Sequence, residues 1–216
     1  MAYIPDHVEI KTPGESIMIR RLKNFSCGCL IAVVMAALPS IAEAQQFWRT
    51  DGIGDTWTGS NWGASGAGPF TTAWSSGSNV QFTANSEATF ATTTVGNVTV
   101  DPGFTVTNTA AGTLSFTGST VAIWDIGAGS TLTWTSQNVT ANSAAGITKN
   151  GSGILNLGAL TWSTNMNGGF TLNNGTVIAS GSKALGNGVL NLNGGTLQTS
   201  GKRAFTPTSM VIGGDF

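Results

Sequence analysis

Beyond residue 44 this chain of 216 residues contains no cysteine and no histidine, since Cys27, Cys29 and His7 all precede that point. The remainder therefore has no thiolate nucleophile, disulfide, histidine base or Cys/His metal site. Charge is scarce too. Only 9% of the residues are charged, and after residue 44 the cations Arg49, Lys149, Lys183, Lys202 and Arg203 stand against the anions Asp51, Asp55, Glu87, Asp101, Asp125 and Asp215. So even a balance offers no basic surface for nucleic acid or anionic lipid, and no nucleic-acid partner is expected. The one long apolar run, Cys29 to Leu38, has ten residues, well short of the roughly 20 that span a bilayer as a helix. No stretch carries helical periodicity.

That apolar run reads as the core of an export signal. Arg20, Arg21 and Lys23 precede it, Pro39 breaks it, and Ala42-Glu43-Ala44 provides a small-x-small site, so residues 18–44 form a secretory signal peptide cut between Ala44 and Gln45. Residues 1–17 place Asp6, Glu9 and Glu15 ahead of the basic cluster, and read as an extension, either from a misassigned start with Met18 the conventional first residue or as part of an extended signal. Leu22-Lys23 after Arg20-Arg21 does not continue a twin-arginine pattern. The expected destination is the cell surface, the outer membrane or the extracellular space.

What the chain does have is glycine, threonine, serine and asparagine around short alternating apolar bursts. Val98 and Val100, Phe104 and Val106, Leu114 and Phe116, Leu132 and Trp134 are followed by Leu155 and Leu157, Phe170 and Leu172, Val177 and Ala179, Leu190 and Leu192. A period of two over a few residues describes strands with one buried face. The separators, such as Asp101-Pro102-Gly103, Asn150-Gly151, Asn173-Asn174-Gly175 and Asn193-Gly194-Gly195, supply corners. Recurrence at 17 to 20 residues, as in Leu155, Leu172 and Leu190, or Leu157, Val177 and Leu197, or Leu114 and Leu132, suits one coil of a solenoid better than an antiparallel sandwich. The step of 23 from Leu132 to Leu155 implies a coil with a longer loop. A lone coil buries too little to offset its lost backbone entropy, so coils must stack. The expected fold is all-β: a right-handed parallel β-helix over residues 83–216, about nine coils tall if the Trp-rich start is counted, with Leu114, Leu132, Leu155, Leu172 and Leu190 inside.

The segment GITKNGSGILNLGALTWSTNMNGGFTLNNGTVIAS, residues 146–180, resembles the autotransporter-associated β-strand repeat, also called the passenger-associated transport repeat. That family opens with G-L-x-K-x-G-x-G-x-L-x-L and closes with G-G-T-x-[IV]-x-x-G-T-L around a variable middle. Here Gly146, Lys149, Gly151, Gly153, Leu155 and Leu157 match the opening, and Gly168, Gly169, Leu172, Gly175, Thr176 and Val177 match the close. Ile147, Phe170 and Val177 depart from the usual residues but keep strand character. Ala184 to Leu197, ALGNGVLNLNGGTL, is similar to the segment that commonly follows. The resemblance implies a structural role for these residues, type V secretion, and a carboxy-terminal translocator β-barrel as the partner in a full-length protein, which residues 1–216 do not include. Surface glycans, or ligands on host or neighbouring cells, are the partners such a passenger would meet.

Residues 45–82 differ, crowding Trp48, Trp57, Trp62 and Trp74 together. A solenoid needs its first coil shielded from solvent and from edge pairing, and a Trp-rich cap meets that need. Exposed tryptophans, with Trp124, Trp134 and Trp162, could instead stack on sugars; packing is the plainer reading. Asp51 and Asp55 could form an acid pair or hold calcium, but lack the dense acidic pattern of a calcium loop and read as turn residues, like Asp101 and Asp125. Lys149 is expected to lay its stem over the coil with its ammonium in solvent. The N-x-S/T triplets at Asn97, Asn138, Asn150 and Asn174 are commonplace in so Thr-rich a chain.

Together these features describe a non-enzymatic structural segment of an exported passenger, a β-helical stalk for secretion, display or adhesion that needs no cofactor, catalytic residue or metal. The alternative from another class is a carbohydrate-active β-helix enzyme or sugar-binding module.

Overall fold

The computed structural model describes residues 7–12, 15–20, 44–49, 53–89, 93–108, 113–116, 121–134, 138–139, 146–158, 161–162, 167–181, 183–199 and 205–214. The chain divides into two compact units, Met1–Ala42 and Glu43–Phe216. In the first, His7–Thr12 pairs antiparallel with Glu15–Arg20, His7 opposite Arg20 and Thr12 opposite Glu15. The apolar core of the expected signal peptide, and Ala42 of its cleavage site, lie outside the described residues. No helix occurs among the described residues, so none is long and apolar enough to cross a membrane.

The second unit is a β-solenoid of stacked parallel strands with three faces. The long face stacks, in order, Gln45–Trp48, Asn79–Phe82, Val98–Val100, Ala122–Ile126, Ile147–Asn150, Phe170–Leu172, Val189–Leu192 and Ser209–Ile212. A second face stacks seven strands, from Ile53–Thr56 through Ser86–Thr89, Thr105–Asn108, Thr131–Thr133, Ile154–Gly158 and Thr176–Ala179 to Thr196–Gln198. The third face has four: Thr93–Val95, Thr113–Phe116, Asn138–Val139 and Thr161–Trp162. Among the described residues four coils thus carry strands on all three faces. Chain order runs from face to face, so neighbours in each sheet come from successive coils, and the backbone groups of the inner strands find their partners one rung up or down.

Alternation decides what goes inside. Ile154–Gly158 buries Leu155 and Leu157 and turns Asn156 outward; Ala122–Ile126 buries Ala122, Trp124 and Ile126. Leu132, Leu155, Leu172 and Leu190 are buried as expected, while the side chain of Leu114 lies outside the described residues. Fully burying one such leucine contributes about 2 kcal/mol, and each is shared between the rungs above and below.

The register corrects all three expected columns. Leu155, and not Leu157, stacks on Val177, with Leu132 on its other side and Leu197 beyond Val177, all on the second face. Leu172 and Leu190 belong to the long face in different columns, Leu172 between Lys149 and Leu192 and Leu190 between Phe170 and Met210. Leu114 and Leu132 also stand on different faces. Strands on adjacent faces carry the same apolar alternation, so an interval between leucines cannot tell a step up the stack from a step round the coil. Nor is the period uniform: one coil advances 18 residues from Val80 to Val98, 26 to Trp124, 25 to Lys149, 23 to Leu172 and 20 to Leu192. The ladder sets strand register and leaves solvent-facing corners free to vary in length.

Stacking begins at Gln45–Trp48, which pairs parallel with Asn79–Phe82 on one side. Its other edge is covered by Trp62–Gly63, running antiparallel with Trp48 opposite Trp62. Behind this pair lies an aromatic cluster. Trp62 stands 4.9 Å from Trp48, 4.6 Å from Trp57 and 4.4 Å from Trp74, ring centroid to ring centroid. Trp48 reaches Phe82 at 6.3 Å. At the far end Ser209–Ile212 exposes every side chain, Ile212 at 66%.

Candidate functional site

In so uncharged a molecule, the buried charge stands out. Lys149 lies on Ile147–Asn150, where Ile147 faces in, Thr148 out and Lys149 in again. Strand parity therefore carries the lysine into the core, in a column between Trp124 on one side and Leu172 and Leu192 on the other. The side chain is 0% exposed. This corrects the expectation of an ammonium in solvent: only the tendency of charges to stay wet placed it there, and pleat parity overrides that tendency once a partner set exists.

The partners are the carbonyls of the corners. Nζ donates to Asn150 O, to Gly151 O at 2.7 Å and, in the next coil, to Asn174 O at 3.4 Å. Gly151 adopts φ +72, and a Cβ there would run into Ile126 O, so only glycine lets this corner close tightly around the ammonium. Burial lowers the Lys149 pKa from 10.5 to about 8, partly opposed by the negative charge of Asp125. The ammonium joins two coils, and no face of it is left for a substrate.

An asparagine ladder runs beside it. Asn173 Nδ2 donates to Asn150 Oδ1 and Asn193 Nδ2 to Asn173 Oδ1, both at 2.9 Å. Identical amides repeat at rung spacing, so each side chain donates downward and accepts from above. The turn glycines of the repeat serve the same packing. A Cβ on Gly175, at φ +77, would collide with Gly153 O, and one on Gly153 would meet Ile126 Cγ2 and Ser130 O, both at 2.7 Å. Leu155, Leu157, Leu172 and Val177 are fully buried, Gly146, Gly153 and Gly169 are buried, Gly151, Gly175 and Thr176 are half-buried, and Gly168 is exposed in its turn. Gln45 opens the first strand of the stack, and Ala44 before it is exposed.

The other candidates separate. Asp55 pairs with Arg49 at 3.2 Å, and the same guanidinium donates to Asn61 Oδ1 at 3.2 Å; Asp51 lies outside the described residues. Asp101 accepts from Gln81 Nε2 at 2.7 Å. Trp48, Trp57, Trp62, Trp124 and Trp134 are all buried, the last two stacked at 5.1 Å and 21°, so none of them offers a platform to a sugar ring. Trp62 Nε1 donates to Trp57 O at 2.7 Å and Trp74 Nε1 to Thr94 O at 3.1 Å. The side chain of Trp162 lies outside the described residues.

A shallow groove of about 390 Å³ crosses the outer surface of the second face, lined by Asn85, Ser86, Glu87, Thr105 and Thr107. Two of its polar groups already serve the fold: Asn85 Oδ1 accepts from Thr105 N at 2.8 Å and Ser86 Oγ donates to Ala84 O at 3.1 Å. The groove was not legible beforehand because only the parallel register brings Glu87 beside Thr107. No family model, curated protein or solved structure matches the chain.

Proposed function

We propose that the chain from Gln45 onward is a non-enzymatic structural segment of an exported, autotransporter-type passenger: a right-handed β-helical stalk, started by a Trp-rich cap and delivered by the signal peptide of residues 18–44. The observation that carries this reading is the unbroken parallel stack from Gln45 to Ile212, in which each rung completes the core and the hydrogen bonds of the one before. Such a fold can grow one coil at a time from a free end, which suits folding during emergence from a membrane. The antiparallel Trp62–Gly63 strand and the aromatic cluster support the cap, since they cover the edge at which a parallel stack would otherwise recruit another strand. The resemblance of residues 146–180 to the passenger repeat supports the export route.

The test is to produce the full chain ahead of a translocator β-barrel and compare it with the Leu155→Asp chain, which places a charge at the centre of the stack. The native chain is expected on the cell surface, beginning at Gln45 and resistant to protease, with the variant stalled or digested. Equal surface display of both chains, or recovery of residues 1–44 on the exported protein, would overturn the proposal.

A further inference from the structure

Five asparagines in this chain precede glycine: Asn150, Asn167, Asn174, Asn187 and Asn193. A following glycine leaves the backbone nitrogen free of side-chain hindrance and lets it approach the asparagine Cγ. The fold treats the five unequally. Asn150 and Asn193 are held in the amide ladder through Asn173, and the Gly194 N–H donates to Leu172 O at 3.3 Å. At Asn174 the arrangement is different: the Gly175 N–H donates to Oδ1 of Asn174 itself at 2.7 Å. The nitrogen and the amide group it could attack are thereby held together, and Asn174 is exposed to water. The Asn174 carbonyl, conjugated with that nitrogen, accepts from Lys149 Nζ at 3.4 Å. A cation at this oxygen stabilises the negative charge that develops when the N–H ionises.

We propose that Asn174–Gly175 is a site of spontaneous deamidation selected by the fold. The Gly175 nitrogen gives its proton to hydroxide and its electron pair to Asn174 Cγ. The Cγ–Nδ2 bond breaks, Nδ2 leaves as ammonia with a proton taken from water, and a cyclic imide remains. A further water opens the imide at either carbonyl, giving aspartate or isoaspartate. Both products place a carboxylate at the corner occupied by the Lys149 ammonium. The isoaspartyl form also lengthens the backbone by one methylene where Gly175 O accepts from Thr196 N at 2.8 Å and where Gly175 already packs against Gly153 O. Its formation loosens the junction between these coils, so the modification ages the rod at one defined point.

The test uses the full chain, incubated folded near neutral pH, where Lys149 keeps its proton, and, in parallel, unfolded in urea, with peptide mass spectrometry and isoaspartate detection at all five pairs. In the folded chain Asn174 is expected to convert at least about ten-fold faster than the average of the other four, as proximity effects allow. In urea the five should convert at similar rates. Asn174 reacting no faster than the others in the folded chain overturns the proposal. The same preference persisting in urea also overturns it, because local sequence and not the fold would then be the cause.

Discussion

Replacing Lys149 by methionine separates the role of its charge from that of its bulk. Methionine keeps an unbranched stem in the column between Trp124 and Leu172 and removes the only group there that titrates. In the native chain the folded-state pKa is lowered to about 8, against 10.5 when the chain is unfolded. Below pH 8 both states hold the proton and the lysine adds no slope to stability. Between about 8 and 10.5 the folded chain releases the proton while the unfolded chain keeps it, so stability rises with pH across that window. The difference between 10.5 and about 8 sets an upper limit of about 3 kcal/mol. The gain should fall below this limit, because Asn174 is exposed and Asn150 and Gly151 only half-buried, so solvent screens the corner.

At neutral pH the variant escapes the cost of a buried charge but strips the three carbonyls of their donor, at a net cost of about 1 kcal/mol each. The two effects nearly cancel, and the variant should fold. Urea denaturation of both chains from about pH 7 to about pH 10.5 provides the assay, over the window set by the two pKa values. The difference between the profiles cancels every group the chains share. The native chain should gain on the variant as pH rises. Parallel profiles, or a native chain that loses ground over this window, would refute the assignment of a desolvated ammonium to the core.

Four further substitutions probe the stack. Leu155→Asp should cost at least about 3 kcal/mol by burying an unpaired carboxylate, whereas Asn156→Asp, one residue on and facing outward, should cost under about 1 kcal/mol; thermal melts distinguish them, and equal losses would contradict the alternation. Gly153→Ala should lower stability by about 1 to 3 kcal/mol through overpacking against Ile126 and Ser130, measured by the urea midpoint. Trp48→Ala should cost about 3 to 5 kcal/mol and collapse the near-ultraviolet circular dichroism of the aromatic cluster; an unchanged spectrum would show that the four tryptophans do not pack as one group.

Much of this architecture is written in local chemistry. Alternation such as Ile154 to Gly158 specifies a strand with one buried face whatever surrounds it, and Asn150-Gly151 or Asn173-Asn174-Gly175 specifies a corner because few other residues accept those dihedrals cheaply. The near-absence of charge required that the polar surface be built from hydroxyls and amides. Strand parity puts Lys149 on the inward side, yet the expectation of an ammonium in solvent follows the usual preference of a lone lysine for water and misses it. Which strand lies on which was not local. Leu155 could stack on Leu172 or on Val177 at comparable spacing, and only the hydrogen-bonded ladder between coils chooses Val177. The same ladder brings Asn174 O of one coil to the ammonium of another, aligns Asn150, Asn173 and Asn193, and sets Glu87 beside Thr107. These partners lie roughly one coil apart in the chain, and corners of variable length hide that distance from any fixed period. Inter-coil register is a property of the assembled stack, so the buried lysine acquires its partners only in the tertiary structure.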